Sequence, residues 1–142
     1  MSHNALYAPI IALVLWSFVM WAWMYATRLP EIFSGRATYD PNRPDPATAF
    51  NEQIPPRVRW KADNYNHLME QPTLFYAVAL TIAAVQPADA LSVGLAWAYV
   101  GLRVIHSLVQ AIANEVKVRF LVFVAGSLVL FAMTLRAAAL VF

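Results

Sequence analysis

Cysteine is absent from this 142-residue chain, which excludes disulfides, protein thiolate nucleophiles and Cys-ligated metals. Any thiol chemistry must use a thiol that arrives with a ligand. Charge is scarce as well. Only 13% of residues are Asp, Glu, Lys or Arg and 61% are hydrophobic, whereas about a quarter are charged in ordinary soluble domains. With ten Lys and Arg in all, most of them in one loop region, the net charge of +2 reports membrane topology and not a nucleic-acid surface. The first apolar run has no basic segment ahead of it and no small-residue cleavage motif, so it reads as a retained helix and not a signal peptide. No internal repeat is visible.

What is there is apolar sequence in membrane-length stretches, since a spanning helix needs about 20 mostly apolar residues. The pattern predicts an all-α integral membrane four-helix bundle, one domain over 1–142, with helices at about 5–27, 61–86, 89–113 and 117–141. The second is the weakest signal, because its purely apolar part, Thr73–Val85, needs a polar lead-in to reach full length. Gly94, Gly101, Gly126 and Ser127 suit close helix contacts. A loop at about 29–59 carries Pro30, Pro41, Pro44, Pro46, Pro55 and Pro56, a density that predicts irregular backbone. It reads either as a solvated connector or as a lid.

Basic residues fall between the first and second runs and again at Lys117 and Arg119, while the Gln86–Asp89 connection has none. The positive-inside rule puts both basic loops in the cytoplasm and both termini outside, an arrangement that suits a bacterial inner membrane. Trp21, Trp23, Tyr25, Trp60 and Tyr65 then fall in the cytoplasmic aromatic belt. Arg136 falls near the outer interface, where it can snorkel. The terminal His3 is given no role.

Arg103 stands midway along the apolar Ala90–Ala113 run. A charge at that depth costs roughly 2.5–3.5 kcal/mol on insertion scales, so it should face protein or water and find a partner. Spacing supplies candidates. Asn66 and Glu70 are four apart and share a face on a continuous helix. Arg103, His106, Gln110 and Asn114 step by three or four along one stripe. With antiparallel helices these two stripes and Arg119 fall at one membrane level, with Arg28 at its border. Arg103 either forms a structural ion pair with Glu70 or serves a ligand. His106 either bonds a neighbouring helix or joins the same pocket. Several arginines around a carboxylate and an amide favour a small polyanion with a free amine. A thiol held beside an arginine would ionise near neutral pH.

Arg59, the run Asn66-His-Leu-Met-Glu70-Gln-Pro72-Thr-Leu-Phe75, the block Gly101-Leu-Arg103-Val-Ile-His106-Ser107 and Arg119 together resemble MAPEG, the membrane-associated proteins in eicosanoid and glutathione metabolism. The resemblance spans the whole chain and looks like a bacterial-type member. It implies a homotrimer with glutathione as cosubstrate near the cytoplasmic face. It further implies Arg119 as the catalytic thiolate stabiliser, Asn66 and Glu70 on the peptide backbone of glutathione, and Arg59 and Arg103 on its carboxylates or charge balance. His106 and Gln110 complete the candidate binding set, and no metal is implied. The sequence departs from the family pattern in four respects, one being that Arg59 lies further from Glu70 than the family's arginine does. Asn66 and Glu70 are four apart where three is usual, His67 occupies the expected asparagine spacing, and Gln110 stands where a tyrosine is expected.

The activity this implies is a glutathione-dependent transferase or peroxidase acting on lipophilic electrophiles or lipid hydroperoxides that enter from the bilayer. The alternative is a non-catalytic lipid-binding member or accessory subunit of a larger membrane complex. A small haem protein ligated by His67 and His106, and ion or proton transport through the Glu–Arg–His cluster, are the remaining alternatives.

Overall fold

Four apolar segments become four spans because the membrane leaves backbone polar groups nothing to bond but each other. A computed structural model describes residues 3–142, with side chains from Ala5 onward, so the His3 side chain lies outside the described residues. A 3-10 turn, His3–Leu6, leads into α1 (Tyr7–Phe33). The second span is two helices, α3 (Pro56–His67) and α4 (Gln71–Val85). The third is α5 (Ala90–Leu108), which runs on as a π-helical turn, Val109–Ala113. The fourth is α6 (Val116–Val141). All four spans are long and apolar enough to cross a bilayer, and no strand occurs among the described residues.

The first helix runs past the predicted boundary near Thr27 to Phe33. Hydropathy marks only the lipid-embedded part of a helix; the backbone ladder continues until Gly35, at φ +71°, turns the chain away. The proline-rich loop is not wholly irregular. A short helix, α2 (Pro46–Glu52), forms where Pro46 takes a first-turn position that needs no N–H, and the Asp45 carboxylate accepts from Thr48 N at 3.2 Å. The Thr48 hydroxyl and amide hold that carboxyl below its ordinary value. The Gln53 side chain accepts from Thr38 N and donates to Thr38 O, closing the loop on itself, and Ile54 is buried.

The break within the second span has a definite cause. Pro72 has no N–H, and its ring clashes with the carbonyl four residues back, so the α-helical ladder cannot run through Leu68–Glu70. Glu70 takes φ −91°, ψ −101°, outside the helical region.

Each helix contributes one stripe to the core: Ile10, Leu13, Ser17 and Met20 from α1, Phe75, Ala79 and Ile82 from α4. Phe75 stacks on Tyr99 of α5, ring centroids 4.6 Å apart. Gly126 sits where α6 crosses α5, and a Cβ there would meet Leu102 at 3.9 Å. Gly94 and Gly101 face outward with nothing within 4 Å. The outward faces, including Leu15, Phe18, Leu121 and Phe131, are as apolar as the core. That is the composition of helices surrounded by lipid.

At the Gln86–Asp89 end the chain closes a polar knot. Asp89 caps α5 by accepting from Ser92 N at 3.0 Å and from the Ser92 hydroxyl at 2.8 Å. Arg136 reaches back from α6 and donates to Asp89 at 2.8 Å and to the Ser92 hydroxyl at 2.8 Å. Arg136 therefore ties two helices together besides reaching towards the interface. Burial alone would raise the Asp89 carboxyl, but the Ser92 amide and hydroxyl and the Arg136 guanidinium outweigh it and hold the group well below the usual carboxylate range.

A carboxyl depressed by folding contributes stability that is full above its unfolded value and is lost as pH falls through the folded one. Detergent-solubilised protein should therefore lose thermal stability on acidification below about pH 4 in part through Asp89. Asp89→Asn keeps the cap but loses that component, at under about 1 kcal/mol because the pair is a third exposed. Asp89→Ala loses the cap too and costs about 1 kcal/mol more. Calorimetry of the three proteins against pH checks both.

Candidate functional site

The break leaves a helix end at which the His67 carbonyl accepts from Glu70 N at 3.3 Å and takes Arg103 as a second donor. The Arg103 side chain is 1% exposed, and Nη2 donates to the His67 carbonyl at 3.3 Å. In an unbroken helix that oxygen would accept from the amide four residues on; here it lies at the C-terminal, negative end of α3, where a cation is favoured. The partner of the membrane-buried charge is thus a helix end and not a carboxylate. Glu70, the sequence candidate for that ion pair, has a side chain 66% exposed and accepts from His67 Nδ1 at 2.9 Å. The argument that Asn66 and Glu70 share a face assumed a continuous helix, and the break at Leu68–Glu70 removes it.

Around Arg103 the buried polar atoms are left unpaired to an unusual degree. Among the described residues, Nε and Nη1 of Arg103, both side-chain polar atoms of Asn64, Oγ of Ser107 and Oε1 of Gln110 have no partner. Roughly 90% or more of buried polar groups in proteins are hydrogen-bonded, so such a concentration marks a place where stability has been traded for something else.

Two cavities lie against this layer. The larger, about 420 Å³, is lined by Arg28, Asn51, Arg59, Trp60, Asp63 and Asn66, with Asn114 at its edge. Its α3 wall is one helix face: Arg59, Asp63 and Asn66 are spaced i, i+4, i+7. From α2 comes Asn51, whose Oδ1 accepts from Arg28 Nη2 at 2.6 Å. The loop thus touches the cavity through Asn51, while α2 itself has no buried residue.

The smaller cavity, about 240 Å³, is lined by His67, His106, Arg119, Phe120 and Phe123, with Val116. The His67 ring packs on His106 at 5.0 Å between centroids and on Phe123 at 5.6 Å. With the two imidazoles in contact, no room is left between them for an iron porphyrin. Arg119 is aimed by the π-helical turn. Asn114 adopts a left-handed conformation, φ 50°, bonds Val109 O through its amide, and accepts from Arg119 Nη1 through Oδ1. The two cavities are thus coupled: Asn66 lines one and His67 the other, and Asn114 of the first holds Arg119 of the second.

Of the residues picked from the sequence, Arg59 and Asn66 line the polar cavity and His106 and Arg119 the aromatic one. Arg103 and Gln110 are buried and line neither. Sequence reasoning passed over Asp63, Asn64 and Asn51 and gave His67 no place in this site. The i, i+4, i+7 run through Asp63 and the break signalled by Pro72 could have found the first and the last. Asn51 offered no signal, because its place depends on how the loop folds back.

A family model described as MAPEG family matches residues 6–139. Neither a curated protein nor a solved structure matches the chain.

The Asn114 turn can be tested directly. Both Asn114→Gly and Asn114→Ala release Arg119, but only alanine strains the left-handed backbone. Asn114→Ala should unfold more easily than Asn114→Gly by about 1 kcal/mol in denaturant titrations.

Proposed function

Because the chain belongs to the MAPEG family, we propose that it is a glutathione-dependent membrane transferase or peroxidase acting on lipophilic electrophiles or lipid hydroperoxides. The observation that carries this reading is the charge pattern of the larger cavity: two arginines and one aspartate with three amides. Glutathione offers the complement, two carboxylates, one ammonium and two peptide groups. Arg28 and Arg59 take the carboxylates, Asp63 the ammonium, and Asn51, Asn66 and Asn114 the amides. The thiol then lies toward the neighbouring cavity, where Arg119 stabilises the thiolate and Phe120 and Phe123 offer an apolar wall to the acceptor. In transfer, sulfur forms a bond to the electrophilic carbon as the leaving group departs with its electron pair. Positioning and electrostatic stabilisation of the thiolate supply the rate.

Trimer formation, the assembly general to this family, fits the outward-facing Gly94 and Gly101, which allow close approach of a neighbouring helix. An apolar groove of about 220 Å³ between α1 and the second span, lined by Val14, Ser17, Phe18, Tyr65, Met69 and Tyr76, suits the hydrocarbon part of the acceptor. The same groove favours the second reading, a non-catalytic lipid-binding or accessory subunit of a larger membrane complex.

Mixing purified protein with glutathione and following the ultraviolet thiolate band separates the two. The enzyme reading expects a saturable band at neutral pH that Arg119→Ala abolishes. Asp63→Asn should weaken glutathione binding by about 1.5–3 kcal/mol, a factor of roughly 10 to 150. A glutathione analogue lacking the amino group should bind the wild type and Asp63→Asn equally. No band and no binding at millimolar glutathione, with lipid retained through purification, would select the second reading.

A further inference from the structure

Arg119 can stabilise a thiolate but cannot receive the proton that making one releases, because a guanidinium stays charged at any working pH. A side-chain base at the same sulfur would take that proton faster than water, and the smaller cavity has two imidazoles in its wall. They are not equivalent. His106 is 2% exposed, and its Nδ1 is buried with no partner among the described residues. His67 is fixed at both ends. Its carbonyl accepts from Arg103, and its Nδ1 sits 2.9 Å from the Glu70 carboxylate, an acceptor that requires the proton to be on Nδ1. That leaves the lone pair on Nε2, which carries no hydrogen bond among the described residues and is not among the enclosed atoms. The ring itself forms part of the wall that Arg119 shares.

Resting on the glutathione reading above, we propose that His67, oriented by Glu70, is the general base that takes the thiol proton, and that it later returns the proton to the product. The S–H bond breaks, the proton goes to Nε2, and the electron pair stays on sulfur beside Arg119. With a hydroperoxide acceptor, sulfur bonds the terminal oxygen, the O–O bond breaks, and the departing alkoxide takes the proton from His67 as the alcohol. A second glutathione reduces the resulting sulfenic acid, giving the disulfide and water. His67 is then neutral and ready for another turnover. Glu70 acts through His67 and is a positioning residue. Its exposed carboxylate, which has no part in the polar cavity, thereby gains a role.

The test uses the full-length protein in detergent with glutathione and cumene hydroperoxide. His67→Gln should bind glutathione as the wild type does while kcat falls by roughly 10²–10⁴, the range for losing a general base. The groups around His67 are Glu70 on its own segment, Arg103 and His106 on α5 and Arg119 on α6. Of these only His67 is assigned to the acid limb of the rate profile, which should vanish in His67→Gln and move in Glu70→Gln. Added imidazole should restore turnover to His67→Ala, which also shows that this variant is folded. Wild-type rate and pH profile in both His67 variants would overturn the assignment and leave the glutathione reading standing. A wild type that neither binds nor oxidises glutathione would overturn both.

Discussion

The hydrogen bond from Arg103 to the His67 carbonyl is the contact on which the site depends. Pro72 breaks the second span, and the His67 carbonyl at the end of α3, which accepts from Glu70 N, takes a second donor from Arg103. Arg103, buried within an apolar run, is costly as a charge without a counter-charge. The two suit each other: the helix end carries partial negative charge, and the guanidinium carries donors. The bond ties α5 to the end of α3, whose other neighbours are α1 and the π-helical turn.

The break then sorts side chains that an unbroken helix would have left together. Upstream of it, Arg59, Asp63 and Asn66 turn to the polar cavity. At it, His67 turns to the aromatic cavity and to Glu70, and downstream Gln71 crosses to α6, donating to Ser127 at 2.8 Å. One short segment thus addresses three neighbours. The second irregularity in the fold, the π-helical turn ending in left-handed Asn114, does the same on the facing side, holding Arg119 in place for the aromatic cavity while itself bordering the polar one. Bulges of this kind are often found at functional sites, since they re-aim side chains without ending a helix.

Hydropathy was enough to read the spans, because lipid demands long apolar helices and little else satisfies it. The polar layer was legible to the residue at Arg59, Asn66, His106 and Arg119, because ionisable or amide groups next to membrane-length apolar runs are few. What could not be read was direction. Glu70 was paired with Arg103 by depth, but helical periodicity cannot be carried across a proline that resets it. Asn64 shows the other failure. It is fully buried and lies between two polar neighbours, and nothing in its local sequence separates it from Asn66, which is exposed. Asn51 entered the site only through the closing of the loop, a long-range event with no local signature.

The two ends of the bundle handle polar groups in opposite ways. At the Asp89–Ser92–Arg136 end, donors and acceptors are matched and the knot holds α5 to α6. At the other end Asn64, Arg103, Ser107 and Gln110 are enclosed with atoms left unbonded among the described residues. An unsatisfied buried group costs about 1–3 kcal/mol, which a domain only 5–15 kcal/mol stable does not accumulate without compensation. Replacing those residues with apolar ones of similar shape would remove the penalty at little loss of packing. The composition of the rest of the chain shows that apolar residues were readily used. The contrast between the two ends is therefore one of satisfied against unsatisfied polar groups, not of how many each end holds.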